Sequence, residues 1–98
     1  MRYSISGKAN QDIEKIWLYT LENWSLEQAD RYYNLILDEI EYIAENFESG
    51  KSADHIKKGY RTAIVKSYII FYKKSGRNIV EIIRVLHQKM DIENRIGE

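Results

Sequence analysis

An α+β fold with the order β-α-α-β-β-β is predicted by three features of the 98-residue sequence. Residues 8–47 contain two consecutive stretches in which apolar side chains recur every three or four positions, the period of an amphipathic helix. Residues 60–87 hold three β-branched and aromatic runs separated by two short polar turns, the pattern of successive antiparallel strands. A capping signal at Ser25 and Gln28 joins the two helical stretches with almost no loop, which makes them a helical hairpin. Such a hairpin must bury its apolar stripe, and the only partner large enough is a face of the sheet. The expected architecture is an N-terminal helical hairpin packed on one face of a small antiparallel-rich sheet, in a single domain over residues 1–98.

Each element has its own signal. Residues 2–6 alternate weakly about Tyr3 and Ile5 and read as a short first strand, with Ser6 placed to cap the following helix. From residue 8 to 24, Ala9, Ile13, Ile16, Trp17, Thr20, Leu21 and Trp24 draw one stripe, with Asp12, Glu14, Lys15, Glu22 and Asn23 off it. Asp12 and Glu14 lie early in that helix, where negative charge complements the dipole. The second helix repeats the spacing with Ala29, Tyr32, Tyr33, Ile36, Ile40, Ile43 and Phe47. Trp17, Leu21, Ile36, Ile40 and Ile43 are the residues expected to pack the hairpin on the sheet.

Residues 48–58 are polar, with Ser49 and Gly50 as breakers, and read as a connecting loop. Residues 60–65 and 68–73 form a predicted strand pair joined at Lys66 and Ser67, and residues 75–78 (Ser-Gly-Arg-Asn) make a second turn. The run at 79–87 is apolar on both faces for most of its length, which places it at the centre of the sheet. Residues 88–98 form either a short turn of helix around Ile92 and Ile96 or a flexible tail. The sheet face away from the helices is left to water or a partner, and its apolar content indicates a surface that is covered.

Composition narrows the function classes. An apolar fraction of 44% with 12% aromatics belongs to a folded domain rather than a disordered chain. Without cysteine, neither a disulfide framework nor a thiolate metal site is possible. His55 and His87 are far apart and have no evident co-ligands, so no metal and no cofactor is expected. No apolar run approaches the roughly 20 residues needed to span a bilayer. The first residues lack the apolar stretch of a secretory signal, so the expected location is cytoplasmic. The net charge is zero, yet residues 1–50 carry 4 Lys/Arg against 10 Asp/Glu, and residues 51–98 carry 11 against 5. This split points to a basic surface in the second half that meets an acidic partner.

Several local patterns occur together in a telling order. They are Ala9-x-x-Asp12-Ile13-x-x-Ile16, then Tyr19-Thr20, Trp24 and Gln28-Ala29, then Gly59-Tyr60-Arg61 and Ile70-Phe71-Tyr72-Lys73. The close, Arg84-Val85-Leu86-His87-Gln88-Lys89-Met90-Asp91, completes the set. Over nearly its whole length the chain thereby resembles the RelE/ParE toxin superfamily of type II toxin–antitoxin systems, and its ending resembles the ParE branch. The resemblance implies a helical hairpin on a curved antiparallel sheet. It also implies a toxin that arrests growth, as in plasmid-stabilisation systems, and a cognate ParD-like antitoxin with a ribbon-helix-helix domain that neutralises it. RelE-like relatives cut messenger RNA on the ribosome, whereas ParE-like relatives poison DNA gyrase by stabilising its cleaved-DNA state.

A ribonuclease of this fold must activate a ribose 2′-hydroxyl, stabilise a pentavalent phosphate and protonate a leaving oxygen. Arg61, Arg84 and His87 are the candidates for that chemistry. Gln88, Lys89 and Met90, which follow His87, supply neither the aromatic hydroxyl nor the second imidazole that RNA-cutting relatives place near this strand end. The neutral net charge also suits a ribosome-bound nuclease poorly. A gyrase poison needs no catalytic residue of its own, because it has only to bind one state better than another. On that reading Lys57, Lys58, Arg61, Lys66, Arg77, Arg84, His87 and Lys89 are target-binding candidates, the basic ones meeting either DNA or an acidic surface of gyrase, with DNA as a partner only indirectly, through gyrase. Tyr60, Tyr68, Phe71 and Tyr72 are the antitoxin-binding candidates. A third class is an inactive relative that only holds its antitoxin.

Overall fold

The computed structural model describes residues 2–90 and 92–96. Strand β1 (Arg2–Ile5) leads into helices α1 (Gly7–Asn23) and α2 (Leu26–Glu45), followed by one 3-10 turn at Phe47–Ser49. Four strands follow, β2 (Lys51–Ser52), β3 (Arg61–Val65), β4 (Tyr68–Lys74) and β5 (Ile79–His87), and then a short helix α3 (Ile92–Ile96). The strands form one sheet in the order β1-β5-β4-β3-β2. β1 runs parallel to β5, from Arg2 opposite Ile79 to Ile5 opposite Ile82. The other pairings are antiparallel. β5 sits between β1 and β4, so both its edges and both its faces are engaged, as its apolar run requires.

The helix starts are set by serines. Ser6 Oγ accepts from the Ala9 N–H at 3.0 Å and donates to the Ile83 carbonyl at 2.8 Å, tying the first turn of α1 to the central strand. Ser25 Oγ accepts from the Gln28 N–H at 3.1 Å, and α2 begins two residues after α1 is capped at Trp24. Both β-turns use left-handed backbone, with Lys66 at φ 55° and with Gly76 at φ 69° and Asn78 at φ 56°.

The hairpin lies on one sheet face. Ala9, Ile13 and Ile16 from α1 and Ile36, Ile40 and Ile43 from α2 are buried against Ile70, Tyr72, Val80, Ile82 and Val85. Trp17 and Leu21 differ from expectation, because both are only half-buried. Thr20 is buried as its place on the expected α1 stripe requires, but Asp12, expected off the stripe, is buried beside it while Trp24 stands 75% exposed. Trp17 instead bridges the helices, its indole N–H donating to Asp30 at 2.9 Å.

The second sheet face is covered by the chain itself. Ala53 and Tyr60 from the 53–60 loop and Ile96 from α3 close over Phe71 and Leu86, with Ile56, Ile69, Ile83 and Ile92 packed around them. The polar segment expected to be a loop also contributes the two-residue strand β2, opposite Arg61 and Thr62. Of the two readings for the C-terminal segment, residues 92–96 take the helical one, and residues 97 and 98 lie outside the described residues. Among the described residues, no helix is long and apolar enough to cross a membrane.

Candidate functional site

β1 stops pairing at Ile82, which leaves the next stretch of the β5 edge without a strand neighbour. Asp12 fills that place from α1. Its Oδ2 accepts the Val85 backbone N–H at 3.0 Å and the Arg84 Nε–H at 2.8 Å, and its Oδ1 accepts from Arg84 Nη2 at 3.0 Å. The pair is bidentate and nearly dry, with Asp12 8% and Arg84 9% exposed. Arg84 Nη1 donates further to the Arg95 carbonyl at 3.2 Å, so one guanidinium joins α1, β5 and α3. A register shift between Phe71 and Tyr72 gives β5 an extra residue at this point, the bulge from which Arg84 reaches the helix.

Beside this pair opens a cavity of about 300 Å³, whose lining includes Lys15, Tyr19, Tyr68, His87, Met90 and Arg95. His87 Nδ1 accepts from the Lys89 N–H at 3.1 Å, so a neutral imidazole carries its proton on Nε2. The ring meets Tyr68 edge-on at 5.4 Å, and Tyr68 meets Tyr32 edge-on at 6.5 Å. Burial pushes the Tyr68 hydroxyl above the ordinary tyrosine range, and the nearby Tyr19 and Tyr32 add to the rise. Tyr68 therefore stays a neutral hydroxyl at physiological pH, able to donate and accept.

The three nuclease candidates do not converge. Arg61 pairs with Tyr72 at one end of β4, whereas His87 pairs with Tyr68 at the other. Four residues of strand separate these register positions, about 13 Å. Arg61 is occupied locally, donating to the Gly50 carbonyl at 2.8 Å with its guanidinium 5.4 Å from the centre of the Phe47 ring. Arg84 lies near His87 but is held by Asp12. Asp12, expected off the apolar stripe of α1, is thus the buried partner of Arg84. The two residues lie 72 positions apart, and no local pattern connects them.

A family model described as the ParE toxin of type II toxin–antitoxin systems, parDE, matches residues 3–92. The chain belongs to the ParE toxin family. It is 34% identical over 95 residues to Toxin ParE1 of Mycobacterium tuberculosis, a match covering 97% of each chain. Toxin ParE1 of Caulobacter vibrioides is 38% identical over 95 residues, again with 97% of each covered. A solved structure described as the chromosomal ParDE TA system from P. aeruginosa has the same fold. Its TM-score is 0.78 at 17% identity, covering 89% of this chain and 95% of that one.

The remaining candidates in this ParE toxin separate by position. Lys57, Lys58, Arg61 and Arg77 lie toward the sheet end where β3 and β5 begin, and Lys66, His87 and Lys89 lie at the opposite end. Arg84 is withdrawn from the surface. Among the residues selected for antitoxin binding, Tyr72 is 0% and Phe71 1% exposed, one on each face, and Tyr60 is 7% exposed beneath its own loop. These three are core side chains because the chain covers both faces of its sheet. Tyr68 alone of the four opens into the cavity.

Proposed function

We propose that this ParE-family toxin acts by binding DNA gyrase and stabilising its cleaved-DNA complex, and that a cognate ribbon-helix-helix antitoxin neutralises it. The observation that carries this reading is the engagement of Arg84. Of the two arginine candidates, Arg84 is locked in a bidentate pair with Asp12, and Arg61 lies opposite Tyr72, four positions along β4 from the Tyr68 that pairs with His87. A nucleophilic attack on phosphate needs its charge stabiliser and its proton-transfer group around one point. A poison needs only greater affinity for one state of its target. Membership of the ParE rather than the RelE branch supports the same choice.

The antitoxin half of the proposal rests on the family and on exposed apolar side chains. Leu18 and Tyr19 on α1, Leu26, Tyr33 and Tyr42 on α2, and Ile64 on β3 are all more than 40% exposed. An amphipathic or extended partner segment covers such positions by the usual modes of peptide recognition. The deciding assay incubates the purified toxin with gyrase and supercoiled plasmid, then denatures the enzyme and measures linear DNA. Linear plasmid should accumulate, and co-purified antitoxin should suppress it. If cells expressing the toxin instead show cut messages with their DNA intact, the nuclease reading replaces this one. Growth without arrest would leave an antitoxin-holding protein.

A further inference from the structure

The end of the sheet opposite His87 carries a row of cations in which the target-binding candidates Arg61 and Arg77 are joined by Arg2, Lys73 and Lys74. The strand order and register set Arg2 of β1, Arg77 of the β4–β5 turn, Lys73 and Lys74 of β4 and Arg61 of β3 at one end. From β1 to β3 this row crosses three strand spacings, about 14 Å. Lys58, Arg61, Lys73 and Lys74 line a cleft of about 450 Å³ whose wall includes Phe47 and Tyr60. Arg2 and Arg77 line the next cleft along, of about 560 Å³.

The cations are gathered on two rings. Lys74 lies 5.0 Å and Arg61 5.4 Å from the centre of Phe47, while Lys57 lies 5.8 Å and Lys73 5.9 Å from that of Tyr60. Concentrating like charges costs stability through self-repulsion, and contacts with ring faces repay only part of it at such exposed positions. Two carboxylates moderate the row. Asp54 lines the cleft, its carboxyl held below the ordinary range chiefly by the Gly59 N–H, and Glu81 stands 4.0 Å from Lys73. The surplus remains positive.

We infer that this sheet end binds the phosphate backbone of DNA directly, without gyrase. A duplex presents one charge per about 3.4 Å of axis on each strand, so a row of about 14 Å lies along about four phosphates of one strand. An acidic protein is the other chemistry with matching charge, but protein interfaces are anchored by exposed apolar side chains. The large apolar side chains exposed among the described residues, including Tyr19, Trp24, Leu26, Tyr42 and Ile64, do not line either cleft. Nucleic-acid interfaces are polar and strongly positive, as this one is.

The test titrates a fluorescent DNA duplex of arbitrary sequence with the purified toxin alone and follows anisotropy over a range of salt concentrations. Binding should be independent of sequence, with log affinity falling linearly against log salt. The double variant Lys73→Gln/Lys74→Gln should lower the magnitude of that slope by about 1.8, two phosphate contacts, with a melting temperature no lower than the parent's. Lys66→Gln/Lys89→Gln, at the other end, should leave it unaltered. No binding at low salt, equal slopes for the Lys73/Lys74 variant and the parent, or tighter capture of poly-glutamate or single-stranded RNA than of the duplex would each overturn the inference. Gyrase is absent from this assay, so its failure would leave the proposal for the cleaved-DNA complex standing.

Discussion

Asp12 accepts three hydrogen bonds in an almost dry setting, two from Arg84 and one from the Val85 backbone. Asp12→Ala strips the carboxylate from a buried guanidinium and an acceptor from a strand edge, and should cost about 3–5 kcal/mol in urea unfolding. Adding Arg84→Met removes the stranded charge, so the double variant should regain part of that loss. A double variant no more stable than Asp12→Ala would show that the pair is not the unit described. On β4, Tyr72 Oη donates to the Phe47 carbonyl at 2.9 Å, and burial raises this hydroxyl above the usual tyrosine range. A raised value means that the folded chain holds the proton more tightly than the unfolded chain. Its contribution is therefore complete below about pH 10 and lost as pH climbs through the folded value. Tyr72→Phe should cost about 1 kcal/mol at neutral pH and flatten the alkaline fall of the urea midpoint. Gly50 belongs to the same corner, since a Cβ there would run into the Tyr72 ring and hydroxyl and come within 2.8 Å of the Thr62 carbonyl. Gly50→Ala should destabilise by about 1–3 kcal/mol, and less in a chain that already carries Tyr72→Phe.

The elements differ in how much of them could be read locally. α2 shows its buried face openly, because Ile36, Ile40 and Ile43 are large, apolar and regularly spaced, and all three are buried. Ile40→Ala should cost about 2–5 kcal/mol by calorimetry or urea unfolding, whereas Ser25→Ala, which removes one cap, should cost about 1 kcal/mol. In α1 the same rule misleads at both ends of the stripe, because the inner face also carries Asp12 while Trp24 faces solvent. Trp24→Ala should therefore change stability by no more than about 0.5 kcal/mol, and a loss of several kcal/mol would return that side chain to the core. β5 was legible as the central strand because both of its faces are apolar. β2 was not, since Lys51 and Ser52 are polar and pair only because β3 lies beside them. The candidate site was legible in part. Arg84 and His87 are conspicuous in sequence, but the carboxylate that decides what Arg84 can do lies on another element.

On the scale of the molecule, the excess charge of the second half does not form one basic face. It divides between two ends of a sheet whose middle is closed on one side by the hairpin and on the other by the 53–60 loop and α3. That second closure rests on few side chains, of which Ile96 is the most buried contribution from α3. Ile96→Asp should raise the binding of a hydrophobic dye and lower the melting temperature while leaving helical circular dichroism nearly unchanged; an unaltered melt would mean that α3 does not seal this face. The position of β5 has a consequence for synthesis. The strand that organises the sheet, receives β1 along one edge and anchors α1 through Asp12 is also, among the described residues, the last strand to be translated. Until it leaves the ribosome, β1 and the hairpin have no platform on which to settle, although they are made first. A nascent chain stalled before residue 79 should therefore be digested readily by protease, and one stalled far enough beyond residue 98 for β5 to emerge should resist it. The folded sheet of this ParE-family chain would thus exist only once β5 has been made and released from the ribosome.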